Sequence, residues 1–509
     1  MFKSIQEAKQ FIQENGIRMV DFKLTDLDGR WRHLTIPAER LNEGIMEHGI
    51  GFDGSNYGYA MVDNSDMVFI PDLATGIVDP YVQIPTLSFV GDVMVIQQPH
   101  NRPFAQYPRN VARRAVAYMR ETGIADEMII GPEYEYHMFD ALRYQVEPNR
   151  MGFALESGEA AWSAGDPAPN SGFHCGAHGG YHIDQPFDRN FDIRNQTCLQ
   201  LAKYGIDVKY HHHEVGGAGQ MEIEVELGEM TRLADDTMTI KYVIRNEAVR
   251  AGKTATLMPK PLYGQPGNGM HVHMLLKKDG EYIFYDKEGY AMLSQTAMYF
   301  IGGLLTHIRS LCGFTNPSTN SYKRLVPGFE APVTIGFAMA NRSAAIRIPA
   351  YAKEPSKKRF ELRNPDATCN PYYAYSAILM AGLDGIRRKL DPKDHNWGPF
   401  DCNLFDLPKE QLPAWAACPP AFPRPSRPWR RTTNTCCKGT CSPSCSSSSG
   451  STRSARTRPW WSKAPIPGSS SNIMTCRPLP AAPSGGNGIG LPRAGRPGNG
   501  KGRDRHGRN

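Results

Sequence analysis

The composition of this 509-residue chain changes abruptly after Glu410, and that break limits what the chain can fold into. The segment from Gln411 to Asn509 is rich in Pro, Ser, Gly and Arg, and Asp504 is its single acidic residue. Before Gln411, charged residues and apolar periodicity are mixed as they are in globular proteins. The first part therefore predicts a folded protein, and the second predicts a disordered tail.

The formal net charge of +7 is unevenly divided between these two parts. Residues 411–509 hold 16 of the 58 basic residues and 1 of the 51 acidic ones, a net charge of +15, which leaves −8 for residues 1–410. A strongly basic protein would suggest a nucleic-acid or membrane partner. The mildly acidic folded part gives no reason to expect either partner.

Cysteine spacing and hydropathy bear on the compartment. The cysteines before the tail are scattered and form no disulfide framework: Cys175, Cys198, Cys312, Cys369 and Cys402. Such usage is typical of the reducing cytosol. No stretch approaches the ~18 apolar residues of a membrane span, and the N-terminus lacks a signal-type apolar core. We therefore expect a cytoplasmic protein.

About 410 residues exceed what one hydrophobic core usually organises, so two domains are expected. Val20, Phe22 and Leu24 alternate, and Asp28-Gly29 is a strong hairpin signal, which predicts a small sheet-rich domain over residues 1–100.

A second, α+β domain is expected over residues 101–410, after a proline-bearing linker at residues 97–108. Helical periodicity recurs there in four runs: Val111 to Glu121, Met238 to Arg250, Tyr299 to Leu311 and Tyr372 to Leu390. Short strand patterns that carry charged motifs lie between these runs. Catalytic chemistry is therefore predicted in the second domain.

Four short segments place pairs of charged side chains on predicted strands or turns: Glu133 and Glu135, Glu214 and Glu222, His271 and His273, and Glu361 and Arg363. Alternation along a strand directs both members of a pair to one face. One such pair is most often a solvated strand face, but four pairs within apolar strands favour a site. Oxygen-rich donors with an occasional imidazole suit Mg²⁺ or Mn²⁺ better than zinc. The pattern therefore predicts divalent metals that handle phosphate.

Five arginines lie in a segment rich in Gly, Pro and Asn: Arg324, Arg342, Arg347, Arg359 and Arg363. Guanidinium groups bind carboxylates and phosphates in a bidentate manner. Each arginine alone is more often a surface ion pair. Together with metal-binding carboxylates they predict phosphoryl transfer to a carboxylate substrate.

Seven motifs follow one another in the folded part: Phe52-Asp53-Gly54-Ser55, Gly131-Pro132-Glu133-Tyr134-Glu135, His212-His213-Glu214-Val215 with Gly219-Gln220-Met221-Glu222, Lys253 to Pro261, Gly269-Met270-His271-Val272-His273, Asn320 to Gly328, and Asn341-Arg342-Ser343. In this order they resemble type I bacterial glutamine synthetase, from about residue 15 to Pro408. The resemblance implies a β-grasp N-terminal domain, a glutamine synthetase/guanido kinase-like catalytic domain with two metal ions, and a homododecamer.

The resemblance also implies metal ligands and nucleotide contacts. One Mg²⁺ or Mn²⁺ ion would be held by Glu135, Glu214 and Glu222, and the other by Glu133, His271 and Glu361. ATP would be bound by Arg342, Arg347, Arg359 and His273, with Arg342 also acting in catalysis.

The same resemblance implies the residues that bind glutamate and ammonium. Gly267, Arg324 and Arg363 would bind glutamate. Asp53 of the adjacent subunit would deprotonate ammonium beside Tyr181 and Glu214, with Asn56 and Asp66 in the same loop region and Glu330 on a flap over the intermediate. Pro266 stands where the family commonly has Asn, and Asn268 is expected to compensate.

Two other functions remain open at this point. A ligase of the same fold could join glutamate to an amine or polyamine, although Asp53 argues for ammonia. A non-catalytic regulatory relative is disfavoured, because a binding module gains nothing from a cluster of repelling carboxylates.

The tail resembles a shifted reading frame. If each codon is read one base earlier, residues 431–441 can spell DHEYLLQGDVF, and residues 464–477 can spell PHPWEFKQYYDV followed by a stop. Both strings resemble the C-terminal region of type I enzymes. Residues 411–509 are therefore expected to be an aberrant tail, and a catalytically impaired product remains an alternative.

Overall fold

The computed structural model describes residues 2–165 and 172–402. The expectations for the tail, its disorder and its shifted frame, lie outside these described residues. Within the described ranges, no helix is both long and apolar enough to cross a membrane.

The N-terminal part is built on a seven-stranded sheet. Its strands are β1 Met19–Thr25, β2 Trp31–Pro37, β3 Ile50–Asp53, β4 Asp66–Pro71, β5 Ile77–Val78, β6 Thr86–Val95 and β7 Arg102–Pro103. The order is β2-β1-β6-β4-β3, and β5 and β7 pair with β6. Helices α1 Ile5–Glu14 and α2 Glu43–His48 accompany the sheet. Since β7 pairs with β6, the sheet extends into the segment that the sequence suggested as a linker.

The predicted β1–β2 hairpin is confirmed, with antiparallel pairing from Met19 opposite Pro37 to Thr25 opposite Trp31. Val20, Phe22 and Leu24 are buried in the core of this sheet, as their alternation predicts. Gly29 in the turn has φ +77°, and a Cβ there would lie 2.8 Å from the Asn370 Cα. Only glycine, which has no Cβ, can approach the Asn370 backbone this closely. The hairpin turn therefore packs directly against the second part of the chain.

The second part contains a ten-stranded sheet and a separate hairpin. The strands are β8 Glu127–Phe139, β9 Ala141–Glu147, β10 Arg150–Glu156, β11 Val208–His213, β12 Gln220–Val225, β13 Gly228–Glu229, β14 Thr254–Thr256, β15 Val272–Lys278, β16 Glu281–Tyr282, β17 Thr334–Met339, β18 Ala344–Ile348 and β19 Phe360–Leu362. The main path is β11-β12-β8-β15-β19-β18-β17, while β13 and β14 pair with β8, β16 pairs with β15, and β9 and β10 form the hairpin.

The helices of this part are α3 Pro108–Glu121, α4 Phe191–Lys203, α5 Met230–Arg250, α6 Gln295–Thr315, α7 Ser321–Arg324 and α8 Pro371–Arg388. α5 packs against β8 of the sheet, and α8 packs on α3, α5 and α6. The four predicted helical runs fall within or overlap α3, α5, α6 and α8, so those predictions are confirmed. Tyr134 of the central strand β8 is fully buried, and its hydroxyl lies 2.8 Å from the Thr237 Oγ1 of α5. The mixture of largely antiparallel sheets and packed helices confirms the predicted α+β class.

A buried arginine joins the two parts of the chain. Arg109 of α3 forms ion pairs with Asp72 and Asp92 of the N-terminal sheet and with Asp235 of α5. Its guanidinium is 5% exposed, so these carboxylates act in a poorly solvated environment where an unpaired charge is costly. This network fixes the N-terminal sheet on the helices that support the larger sheet.

Candidate active site

A cavity of about 350 Å³ opens over one face of the ten-stranded sheet. Most of the residues proposed from the sequence line it: Glu133, Glu135, Tyr181, Glu214, Glu222, Gly267, His271, Arg324, Glu330, Arg342, Arg347, Glu361 and Arg363. His273 and Arg359 lie beside it, and Asp53, Asn56 and Asp66 lie in the N-terminal sheet region. The structure therefore brings the four charged pairs of the sequence into one place.

Strand register explains why the carboxylates meet. In the antiparallel pair β12–β8, Glu222 lies opposite Glu135 and Glu224 lies opposite Glu133. On the other side of β8, His273 of β15 lies opposite Gly131 and, towards β19, opposite Glu361. Directly opposed residues share a face of the sheet, so these side chains converge although they are distant in sequence.

One cluster that could hold a cation is formed by His212, Glu214 and Glu222, whose potential ligand atoms all lie within 4.8 Å of one another. The Glu214 Oε2 is buried and has no hydrogen-bond partner. Burial, followed by the charge of Glu135, raises the pKa of Glu214 to about 8. Burial and then the charge of Glu133 raise the pKa of Glu222 as well. Carboxylates in this state lack a counter-charge, which a divalent cation would supply.

A second cluster consists of Glu133, Glu224 and His273, with ligand atoms within the same 4.8 Å limit. The Glu133 carboxylate lies 2.7 Å from the His273 Nε2 and 2.8 Å from the His271 Nδ1. Burial would raise the pKa of Glu133, but His273 and then His271 outweigh it, and the pKa falls well below its usual range. The ionised form of this carboxylate is therefore favoured, with both imidazoles in contact with it.

These clusters differ in membership from the two ligand sets implied by the resemblance. The sequence placed His212 in a motif but assigned it no role, and Glu224 was not singled out, although it continues the alternation of Glu222. Lys209, also missed, donates to the Glu224 Oε1 at 2.6 Å and lines the cavity. A charged lysine in the wall of a metal-binding cavity gives no local pattern that sequence reasoning could recognise.

Two carboxylates of the implied ligand sets, Glu135 and Glu361, are held by hydrogen bonds at the edges of these clusters. The Glu135 Oε2 accepts from the Gly269 N–H at 2.8 Å and from the Gln220 Nε2 at 3.2 Å. Glu361 accepts from Arg363 at 2.7 Å and from Arg347 at 2.9 Å. Burial opposes ionisation of Glu361, but His273 and then Arg363 lower its pKa. Each carboxylate is thereby oriented into the cavity region.

The arginines fall into two groups. Arg324 is buried and donates to the carbonyl oxygens of Asn364, Pro365 and Arg363, so its guanidinium is fixed by backbone. Arg342, by contrast, is exposed to the cavity and has no ion pair within the described residues. The fixed guanidinium of Arg324 and the exposed guanidinium of Arg342 line the same cavity, and each can bind a different anionic group.

The loop that carries Gly267, next to Arg324, is tightly packed. A Cβ on Gly267 would lie 2.1 Å from the Pro259 carbonyl oxygen and 3.2 Å from the Arg324 Cγ, so no larger residue fits. Asn268 is fully buried, and its amide is used by His137, Gln220 and the Met258 carbonyl. The expectation that Asn268 compensates for Pro266 is therefore wrong, because its polar atoms face the interior.

Arg359 and His273 are joined to each other outside the cavity lining. The Arg359 Nε lies 3.3 Å from the His273 Nδ1, and its Nη1 donates to the Lys357 carbonyl. His273 thus contacts an arginine with one ring nitrogen and Glu133 with the other.

Asp53, Asn56 and Asp66 are grouped in the N-terminal part. Asp53 of β3 lies opposite Asp66 of β4, and its carboxylate accepts from the Ser55 N–H at 2.8 Å and the Asn56 Nδ2 at 2.6 Å. Hydrogen bonds from Ser55 and its neighbours lower the pKa of Asp53. All three residues are exposed and absent from the lining of the 350 Å³ cavity of their own chain.

Comparison with known proteins accounts for this combination of fold and site. The family model "Glutamine synthetase, beta-Grasp domain" matches residues 16–96, and "Glutamine synthetase, catalytic domain" matches residues 105–421. "Glutamine synthetase" of Azotobacter vinelandii is 45% identical over 410 residues, which cover 80% of this chain and 86% of that protein.

Solved structures agree with this match. A Plasmodium falciparum glutamine synthetase superposes with a TM-score of 0.72 at 28% identity, covering 76% of each chain. "GmaS" without ligand superposes with a TM-score of 0.63 at 29% identity, covering 80% of this chain and 86% of that one.

The β-grasp sheet followed by the carboxylate-lined catalytic fold defines a ligase, which confirms the predicted fold class. The chain belongs to the glutamine synthetase family, and within it to the bacterial type I enzymes.

Proposed function

We propose that this chain joins ammonia to the γ-carboxylate of L-glutamate at the expense of ATP, through γ-glutamyl phosphate, and releases L-glutamine, ADP and phosphate. Membership of the family makes the chain a glutamate–ammonia ligase. The observation that supports the assignment most directly is that one cavity, of about 350 Å³, brings buried carboxylates together with arginines.

The donor set fits two Mg²⁺ or Mn²⁺ ions. The donors are carboxylates with a few imidazoles and no thiolate, which is the preference of hard divalent cations. The unpartnered Oε2 atoms of Glu214 and Glu224 support the same proposal. We propose Glu135, Glu214 and Glu222 for one ion and Glu133, His271 and Glu361 for the other, with His212, Glu224 and His273 next to them. When bound, such ions neutralise phosphate charge.

The arginines are proposed to divide the anionic groups between them. Arg324 and Arg363, with Gly267 at the loop, would bind the glutamate carboxylate, because Arg324 is already oriented by backbone carbonyls. Arg342 and Arg347 would bind ATP phosphates, while Arg359 would act through His273. Since a carboxylate resists attack by ammonia, its conversion to an acyl phosphate supplies the leaving group.

The ammonium site is proposed to need a second copy of the chain. Tyr181, Glu214 and Glu330 line the cavity, whereas Asp53, Asn56 and Asp66 lie outside it in the same chain. Asp53 of a neighbouring copy would accept a proton from ammonium, and Glu330, at the rim, would exclude water from the intermediate.

Self-association is also supported by the β9–β10 hairpin. Tyr144 and Phe153 lie opposite each other on one face, as do Val146 and Met151, and each of the four side chains is at least 70% exposed. A contiguous apolar face of this kind marks an interaction surface. We propose a homo-oligomer, with the dodecamer of the family as the expected form.

The domain division and the compartment remain proposals as well. A boundary near residue 100 lies between the two matched family segments, 16–96 and 105–421. None of the five cysteines in the described part of the chain forms a disulfide, which supports the proposal of a cytoplasmic protein.

An assay of glutamine and phosphate formation tests the proposed function. With glutamate, ATP and Mg²⁺ or Mn²⁺, ammonium is expected to give glutamine, and each glutamine is expected to accompany one phosphate. Methylammonium and a polyamine serve as competing substrates. Faster product formation from either amine would favour the amine-ligase alternative, and metal binding without ATP turnover would favour a non-catalytic relative.

A further inference from the structure

A second and larger cavity lies away from the carboxylate cluster, where the N-terminal hairpin meets the catalytic helices. Its volume is about 940 Å³, within the range of small-molecule sites. Its walls come from the β1–β2 hairpin, from α5, from the end of α6 and from the start of α8. None of the residues proposed for glutamine synthesis lines it.

Two arginines face this cavity without a counter-ion. Arg30 lies in the hairpin turn and Arg245 lies on α5, and both line the cavity. Neither side chain has an ion pair or hydrogen bond among residues 2–165 and 172–402. Both arginines are exposed within the cavity lining. Desolvation, followed by the charge of Arg30, lowers the pKa of Arg245, so the two guanidinium groups repel each other.

The acidic residues of the cavity are mostly engaged elsewhere. Asp21 and Asp79 both pair with Lys23, at 3.3 and 3.2 Å. Asp79 also accepts from the Tyr242 hydroxyl at 2.8 Å. Asp28, in the hairpin turn, is the remaining carboxylate of the lining. The positive charge of Arg30 and Arg245 is therefore left largely uncompensated.

Two further features add positive potential to the same cavity. The Lys241 Nζ is buried in its wall and donates to the Cys369 carbonyl at 3.0 Å. The 18-residue helix α8 begins there, and its N-cap residue Asn370 makes no side-chain cap hydrogen bond. The first N–H groups of a helix and its dipole favour an anion.

We propose that this cavity is a binding site for a small dianionic metabolite, a phosphate monoester or a dicarboxylate, held between Arg30 and Arg245 at the N-terminus of α8. The shared chemistry is a pair of oxygen acceptors that bridges two repelling guanidinium groups. The site is separate from the proposed active site, because the two cavities share no lining residue.

The test uses the full chain and the fluorescence of Trp31, which lines the cavity. The signal of Trp31 is obtained by subtracting that of the Trp31→Phe variant. Orthophosphate and succinate are titrated separately at low ionic strength. We expect a saturable change with at least one probe, and the probe that acts identifies the ligand as a phosphate compound or a dicarboxylate.

Variants assign the response to the arginines. Arg245→Gln is expected to weaken binding by about tenfold or more, since a charge-assisted hydrogen bond is lost. Arg40→Gln changes an exposed arginine outside the cavity and is expected to bind as the parent does. Arg30→Gln provides the same test from the hairpin turn if the α5 variant does not fold.

A charge reversal adds a readout that needs no ligand. Arg245→Glu would place a carboxylate beside Arg30, so we expect a higher melting temperature without anion and no response to either probe. The proposal is overturned if neither probe gives a saturable signal, or if Arg245→Gln and Arg30→Gln bind as tightly as the parent chain.

Discussion

Glu222 on β12 lies directly opposite Glu135 on β8, so two buried carboxylates that are distant in sequence share one face of the central sheet. Glu224 and Glu133 repeat this relationship two residues further along. Four acidic side chains on adjacent strands repel one another in a poorly solvated environment. The sheet register therefore gathers carboxylates on one face, which supports the proposal that divalent cations bind there.

Metal removal is expected to destabilise the protein. Saturation with Mg²⁺ or Mn²⁺ at about 100 times the Kd adds about 2.7 kcal/mol to the free energy of unfolding. The melting temperature should therefore rise with added metal and fall with a chelator. Glu222→Gln should lose most of this response, while Glu39→Gln, on an exposed residue of the N-terminal part, should retain it. An equal melting temperature with metal and with chelator would contradict the metal proposal.

The metal-free protein is expected to lose stability as the pH rises. The pKa of Glu214 is raised from 4.5 to about 8, so its protonated form is favoured by folding. Its contribution is fully present below the unfolded pKa and is lost as the pH rises through the folded pKa. Unfolding in a chelator should thus become easier between pH 4.5 and 8. Added Mg²⁺ should reduce this dependence of the free energy of unfolding on pH. An unchanged pH dependence would show that no cation replaces the proton on Glu214.

Much of this site follows from local sequence, and the part that does not depends on strand pairing. The Asp28-Gly29 turn specifies the first hairpin, and alternation in Glu133-Tyr134-Glu135 specifies which side chains share a face. No local sequence pattern predicts that Glu222 lies opposite Glu135, because that contact joins strands separated by a long stretch of chain. The pairing of these distant strands therefore determines which residues belong to each carboxylate cluster.

Burial was the other property that the sequence did not reveal. Asn268 directly follows Gly267 of the cavity lining, yet its amide is used by His137 and Gln220 in the interior. Alternation along the β9–β10 hairpin does not predict whether its apolar face is buried in a core or exposed to solvent. In the structure, Tyr144 and Phe153 are exposed.

Arg109 is expected to be essential for joining the two parts of the chain. Replacement by Gln leaves Asp72, Asp92 and Asp235 without their shared partner, and loss of one member of a buried ion network costs about 3–5 kcal/mol. Urea denaturation measures this loss. Arg113→Gln is the matched control, because Arg113 contacts Asp72 and Asp92 from a 43% exposed position and should cost less than about 1 kcal/mol. Equal effects of the two substitutions would refute a special role for Arg109.

Asp53 is expected to act in the active site of a neighbouring copy. Asp53→Asn should lower kcat by about 10²–10⁴, the usual contribution of a general base. Glu361→Gln should also be inactive. If the site is shared, mixing the two variants with dissociation and reassembly should restore on the order of a quarter of the parent activity, since some sites combine two intact halves. Failure of mixed oligomers to regain activity would place Asp53 outside the site.

Isotope transfer tests whether the γ-carboxylate of glutamate is converted to an acyl phosphate. Glutamate labelled with ¹⁸O in both γ-carboxylate oxygens is incubated with the full chain, ATP, ammonium and Mg²⁺, and the released phosphate is examined by mass spectrometry. We expect one ¹⁸O in each phosphate that accompanies glutamine, because the bridging oxygen leaves with phosphate when ammonia attacks. Phosphate without ¹⁸O would show that water attacks ATP, and the proposed chemistry would be wrong.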